Sequence, residues 1–290
     1  MRAAFYGTSP FGAAVLRRLV ERGVVEIGVV VSQPDRPSGR GRRMAAPAVA
    51  QAAAELGIEL RQPERASENP PVADAGIVVA FGQLLREPLL SAMPLVNLHP
   101  SLLPRWRGAA PVERAIMAGD KETGVAAMAV VEELDAGPLY DVERWPIGPH
   151  DDAAAVREWA VQLGAPLLER ALLDGSDPVP QASEGVTYAA KLTAADRVLD
   201  FTRPAAELDR VVRALSPHIG ARMELDGRPL TVWKAAPLPA GPPPGSVGPE
   251  LVVGCGQGGL ELQEVQPAGK RRMAAGEFLR GLREPPRRAS

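Results

Sequence analysis

Val96-Asn97-Leu98-His99-Pro100-Ser101-Leu102-Leu103-Pro104-Arg105-Trp106-Arg107-Gly108 begins as an apolar run with two polar side chains in it, and then the run stops. Side chains alternate along a strand, so Asn97 and His99 face one side and Leu98 the other. Pro100 cannot donate a backbone hydrogen bond and drives His99 towards extended backbone, which ends the strand. An amide and an imidazole therefore share one face at a strand end. In open α/β sheets, that end is where ligand sites form.

Strand and helix alternate on both sides of this stretch. Strands are predicted at 3–6, 24–31, 76–80, Leu95–His99, 124–131 and 139–145, and helices at 11–22, 47–56 and Pro111–Ala118. The valine-rich run at 24–31 reads as a strand buried on both faces. Such alternation predicts an α/β fold with a doubly wound, mostly parallel sheet. Asp151 and Asp152 stand where an N-cap would open a long helix, and Gly164-Ala165-Pro166 predicts a kink in it.

Composition changes after about residue 175. Residues 177–185 are polar and contain proline, as at a domain boundary. A helix over 204–215 follows, with Leu208, Val211, Val212 and Leu215 on one face. The period then becomes two. Asp226-Gly227 between alternating runs signals a hairpin, and 251–255 and 260–265 are further short strands. Short antiparallel strands in this number predict a small barrel.

The 290 residues are 46% hydrophobic, enough for one or two packed domains. No run reaches the ~18 apolar residues of a membrane span. The N-terminus lacks the apolar stretch of a secretory signal. A single cysteine, Cys255, excludes an intrachain disulfide, and a cytoplasmic location is expected. The net charge of −2 hides local asymmetry. Residues 34–43 carry Arg36, Arg40, Arg42 and Arg43 against Asp35, and 266–290 carry Lys270, Arg271, Arg272 and further arginines against Glu277 and Glu284. The two segments read either as a localised polyanion contact or as the general arginine richness of the chain.

Gly7-Thr8-Ser9-Pro10-Phe11-Gly12 stands where a dinucleotide fingerprint would sit, but Ser9 and Pro10 break it. The second strand closes on Val31-Ser32-Gln33 with no acidic residue, so the ribose contact of a nicotinamide dinucleotide is missing. His150 and His218 have no metal-ligand spacing, and no metal site is expected. The best candidate partner for Asn97 and His99 is Asp135, in Glu132-Glu133-Leu134-Asp135-Ala136-Gly137-Pro138. It follows the 124–131 strand and is therefore expected at a strand's C-terminal end beside His99. An amide, an imidazole and a carboxylate suit acyl transfer to an amine. Two donors hold the oxyanion, and each is worth about 2.7–4 kcal/mol of barrier. His99 and Asp135 move protons. The plainer readings are a structural strand-end histidine and a turn-forming aspartate.

Taken together, Asn97-Leu98-His99-Pro100-Ser101-Leu102-Leu103-Pro104 and the downstream Leu134-Asp135-Ala136-Gly137 resemble the 10-formyltetrahydrofolate-dependent formyltransferases. Three further stretches are similar to the members of that family that act on initiator methionyl-tRNA. They are Gln33-Pro34-Asp35-Arg36-Pro37-Ser38-Gly39-Arg40-Gly41-Arg42, then Arg105-Trp106-Arg107-Gly108-Ala109-Ala110-Pro111, then Val232-Trp233-Lys234-Ala235 with Pro267-Ala268-Gly269-Lys270.

The resemblance implies a Rossmann-like catalytic domain over 1–182, a linker over 183–202 and an OB-like β-barrel over 203–290. It implies formyl transfer from 10-formyltetrahydrofolate to the α-amine of methionyl-tRNA, in translation initiation, by a monomer that uses no metal and no membrane. It makes Asn97, His99 and Asp135 a catalytic triad. It assigns Ser101, Leu102, Leu103, Pro104, Phe81 and Gly82 to the folate pocket. It assigns Arg36, Arg40, Arg42, Arg43, Lys191, Lys270, Arg271 and Arg272 to the tRNA. The chain departs from the family at Pro10, where an acid is usual, at Arg86, where proline is usual, and at His218, where an aromatic is usual. Two other readings use the same residues: a formyltransferase acting on a small amine such as an amino-sugar or glycinamide nucleotide, and a non-catalytic RNA-binding protein.

Overall fold

The structure, a computed structural model, describes residues 1–38 and 43–290. It consists of two compact units, Met1–Gly108 with Thr123–Trp145 and Arg157–Tyr188, and Ala109–Glu122 with Pro146–Val156 and Ala189–Ser290. In chain order the strands and α-helices are β1 (Arg2–Gly7), α1 (Pro10–Arg22), β2 (Glu26–Val31), β3 (Arg36–Ser38), β4 (Arg43–Ala45), α2 (Ala48–Leu56), β5 (Glu59–Arg61), β6 (Ala75–Val79), α3 (Leu89–Ala92), β7 (Leu95–His99), β8 (Arg107–Gly108), α4 (Pro111–Ala118), β9 (Glu122–Ala129), β10 (Leu139–Pro146), α5 (Ala153–Leu173) and β11 (Tyr188–Ala189). They continue with α6 (Ala205–Leu215), β12 (Ala221–Leu225), β13 (Arg228–Leu238), β14 (Val252–Gly254), β15 (Gly259–Pro267), β16 (Met273–Ala274) and α7 (Ala275–Arg280).

The first unit is built on a sheet of order β10-β9-β7-β6-β1-β2-β5. β1 pairs in parallel with β2 and β6, β2 with β5, and β6 with β7. Every residue of β6 is buried, as its unbroken apolar run requires. β2 is shorter than the 24–31 run suggested: it begins at Glu26, with Val24 and Glu26 exposed and Val25 buried. α1 starts where Ser9 Oγ accepts the Gly12 N–H (3.2 Å), with Pro10 in the first turn. Such a cap is worth about 1 kcal/mol, and the first turn tolerates proline because its N–H would be unpaired anyway. Arg22 at the end of α1 grips the buried Glu169 of α5 through Nε and Nη2 at 2.7–3.0 Å. α5 runs through Pro166 as one helix. Gly164 serves close approach instead of a break, because a Cβ there would lie 2.6 Å from Leu98 Cδ2.

Strand order reverses between β1 and β6, with β2 and β5 on one side and β6 and β7 on the other. The carboxyl ends of these strands flank that switch point. They are tied together there, because Thr8 Oγ1 and Gln33 Nε2 both donate to the Phe81 carbonyl, at 2.7 and 2.9 Å.

In the second unit, Asp152 Oδ1 accepts from Ala154 N–H and Ala155 N–H, both at 2.9 Å, which is the N-cap expected at this helix start. α4 packs with α6, and Arg210 Nε reaches the Met117 carbonyl at 3.3 Å. The remaining strands form a curled antiparallel sheet of order β12-β13-β15-β14, with β16 on β15. Asp226 and Gly227 take positive φ (48° and 72°) and make the two-residue hairpin turn. Bridges Leu225↔Ala289, Ser246↔Arg288 and Val247↔Val253 carry the pairing from β12 through the 287–290 segment and the 245–247 segment to β14. The curl is thereby closed into a barrel. Leu208, Val212, Leu230, Val232, Leu260 and Val265 fill it.

Candidate active site

β7 delivers Asn97 and His99 to one face and Leu98 to the other, against Gly164. His99 is buried and both ring nitrogens are engaged. Nε2 lies 2.8 Å from the Trp106 carbonyl oxygen and Nδ1 lies 3.7 Å from Asp135 Oδ2. A neutral imidazole has one N–H for these two acceptors, whereas the doubly protonated ring has one for each. The same Asp135 oxygen accepts the Gly108 N–H at 2.8 Å. The 105–108 turn, with Trp106 at φ 65°, is held from behind. Trp106 N–H donates to Thr187 Oγ1 and Arg107 N–H to the Thr187 carbonyl, both at 2.9 Å.

Asp135 does stand beside His99, but the strand-end argument for its place does not hold. β9 runs antiparallel to β7, with Val96 opposite Ala129 and His99 opposite Ala126. The C-terminal end of β9 therefore lies beside the start of β7. Asp135 reaches the imidazole because the 130–138 loop folds back over the sheet face. Ala129 N–H meets the Pro138 carbonyl at 2.9 Å, and Asp135 itself takes φ 51°. Gln181 Nε2 holds the loop by donating to the Asp135 and Gly137 carbonyls, both at 2.8 Å. Sequence reasoning passed over Gln181, since an amide in a polar, proline-containing stretch has neither periodicity nor spacing to mark it.

The residues assigned to the folate pocket follow β7 and β6, which pair in parallel. Ser101 is buried, with Oγ donating to the Arg105 carbonyl (2.8 Å). Leu103 is packed with Ala126 and Met128, while Leu102 and Pro104 are half-buried. Phe81 and Gly82 follow β6 at the switch point. Phe81 is buried edge-to-face against Tyr6, with ring centroids 5.7 Å apart. Burial pushes the Tyr6 phenol up to about 12. Arg86 donates its backbone N–H to Ser67 Oγ (2.9 Å), a bond that a proline there would lack.

The basic residues divide between the units. Arg36 and Arg43 sit exposed on the antiparallel ribbon β3–β4; Arg40 and Arg42 lie outside the described residues. Lys191 and Lys270 are exposed in the second unit. Arg271 is exposed but paired with Glu277. Arg272 Cζ lies over the Trp233 ring, 3.8 Å from its centroid, and the side chain also bonds the Pro217 carbonyl (3.0 Å) and pairs with Glu264 (3.4 Å). Among the described residues no group of three or more His, Cys, Asp or Glu side chains is placed to hold a metal ion, and no helix is long and apolar enough to cross a membrane.

A strand-end amide and imidazole beside a loop carboxylate, on an open, mostly parallel sheet, form an arrangement suited to group transfer. Sequence comparison agrees: the family described as formyl transferase matches residues 1–172, and its C-terminal domain matches 191–283. The chain belongs to the formyl transferase family. Among its relatives, the methionyl-tRNA formyltransferase of Gluconobacter oxydans is 40% identical over 97% of both chains. That of Paracoccus denitrificans is 41% identical over 99% of both. Among solved structures, HypX from Aquifex aeolicus in complex with tetrahydrofolic acid is similar in fold (TM-score 0.68, 19% identity, 98% of this chain). This chain spans about half of HypX, covering 48% of it. The N-formyltransferase from Helicobacter canadensis has TM-score 0.67 at 15% identity over 93% of this chain and 99% of that one.

Proposed function

We propose that this chain transfers the formyl group of 10-formyltetrahydrofolate to the α-amine of methionyl-tRNA, for translation initiation, in the cytoplasm and as a monomer. The observation that carries the chemistry is His99, held at the end of β7 between the Trp106 carbonyl and the Asp135 carboxylate. Full-length similarity to methionyl-tRNA formyltransferases supports the choice of acceptor.

The unprotonated amine attacks the formyl carbon. As the new C–N bond forms, charge gathers on the formyl oxygen. The Asn97 amide donates to it, with the His99 imidazole beside it. Asp135 fixes that ring. Collapse breaks the bond to folate N10, and the proton lost by the amine passes through the His99–Asp135 pair to N10. Ser101, Leu102, Leu103, Pro104, Phe81 and Gly82 hold the folate. Arg36, Arg40, Arg42, Arg43, Lys191, Lys270, Arg271 and Arg272 meet tRNA phosphates, where arginine forks bind bidentately.

Absorbance follows the release of tetrahydrofolate, with methionyl-tRNA, an amino-sugar nucleotide or a glycinamide nucleotide as acceptor. Turnover is expected with methionyl-tRNA; turnover with a small amine alone replaces the acceptor. His99→Ala is expected to lower kcat about 10²–10³-fold with tRNA affinity kept. Asp135→Asn should do likewise, since it removes the charge but leaves an oxygen for the Gly108 N–H. Normal turnover by either variant overturns the triad.

A further inference from the structure

His99 is oriented by two separate loops. The 105–108 turn presents the Trp106 carbonyl to Nε2, and the 130–138 loop presents Asp135 to Nδ1. The position of Asp135 is not dictated by the sheet, since β9 ends beside the start of β7. One side chain bonds to both loops. Gln181 Oε1 accepts from Arg107 Nη2 (2.8 Å) and Nε (3.2 Å), on the residue between Trp106 and Gly108. Its Nε2 donates to the carbonyls of Asp135 and Gly137, both at 2.8 Å. The amide thus uses two acceptor and two donor positions, its full capacity. Arg107, itself buried, is fixed in turn, with Nη1 3.5 Å from Glu133.

We infer that Gln181 is a positioning residue for the transfer: it clamps the Asp135 loop to the Trp106–Gly108 turn and so sets where the carboxylate meets His99. Its hydrogen bonds go to Arg107 and to the Asp135 and Gly137 carbonyls, not to the His99 ring. It acts through Asp135, whose left-handed backbone (φ 51°) would otherwise relax towards commoner conformations. Displacement of a catalytic group by about 1 Å can cost ~10²-fold in rate. The inference rests on the triad proposed above.

Two variants separate its contacts. Gln181→Met keeps the length of the side chain and removes every hydrogen bond. Gln181→Glu keeps the Arg107 contact but turns the donor towards Asp135 and Gly137 into a second acceptor. Both are expected to lower kcat about tenfold or more, with KM for folate and for methionyl-tRNA within about twofold of wild type. Both should displace the pH profile of kcat, which a merely structural loss would leave in place. The deciding measurement is a double-mutant cycle. If Gln181 acts through Asp135, Gln181→Met costs about tenfold in the wild-type background and little in Asp135→Asn. An equal cost in both backgrounds, or wild-type kcat and pH profile for both Gln181 variants, overturns the inference. That failure is distinct from failure of the triad itself, in which Asp135→Asn alone would retain normal turnover. Should Gln181→Met not fold, Gln181→Glu carries the cycle.

Discussion

Gly137 sits against its neighbour's backbone, where an added Cβ would lie 1.8 Å from the Ala129 carbonyl oxygen. No rotamer relieves a clash between two backbones. Gly137→Ala must therefore shift the loop that carries Asp135. The expected outcome is a stability loss of about 1–3 kcal/mol in urea melts and a larger fractional loss of kcat. At this scale, legibility follows local rules. Asn97 and His99 are readable because the period of two and Pro100 place them on one face at a strand end. Ser9 and Pro10 open a helix in the usual way, so Pro10 departs from the family without disturbing the turn. Gln181 is not readable, because its value lies in two carbonyls more than forty residues away. The thiol of Cys255 is buried, and burial pushes it up to about 11.

Among elements, the ion pair that fixes α4 offers the clearest acid test. Arg114 bonds Asp196 through Nη1 (2.6 Å) and Nη2 (3.2 Å), and Thr193 adds two more bonds to the same carboxylate. The Arg114 guanidinium holds the Asp196 carboxyl well below the usual carboxylate range, helped by Thr193 against the opposing effect of burial. A depressed folded-state pKa gives stability that is present above the unfolded value, near 3.9, and lost as pH falls below it. Asp196→Asn should therefore cost about 2 kcal/mol at neutral pH, and the gap in Tm between wild type and variant should narrow as pH falls from about 4. A gap independent of pH would remove the pair's role. The boundaries of β7 and α4 coincide with the sequence reading because proline punctuates both. The direction of β9 was not legible, since a continuous buried run reads the same in either sense and only pairing decides. β3 and β4 escaped for another reason: Arg36-Pro37-Ser38 and Arg43-Met44-Ala45 are three-residue strands, too short to show a period.

Over the whole molecule, the alternation of strand and helix followed by a period of two is enough to foresee an open sheet and a separate barrel. It is not enough to foresee how the barrel closes. The closing joint is mostly backbone: Glu224 and Ser290 exchange both hydrogen bonds, Asp226 N–H meets the Arg288 carbonyl, and Ala289 N–H meets the Gly245 carbonyl. The Asp226 carboxylate also accepts from the Arg287 and Arg288 N–H groups. Residues 287–290 carry little apolar pattern, so no sequence rule marks them as a strand. Their deletion should cost on the order of 2–5 kcal/mol at about 1 kcal/mol per lost bond. It should also raise light scattering on storage, because β12 would present an open edge. Unchanged stability and solubility would show the joint to be dispensable.

Contacts across that joint span 61 residues of chain. A polypeptide emerging from the ribosome delivers β12 long before the partner that seals it. Throughout that interval the nascent second unit carries one bare flank, which no later gain in equilibrium stability can shorten. The gene's residue order, and the pace at which Gly227 to Pro286 are translated, set how long chaperones must guard it.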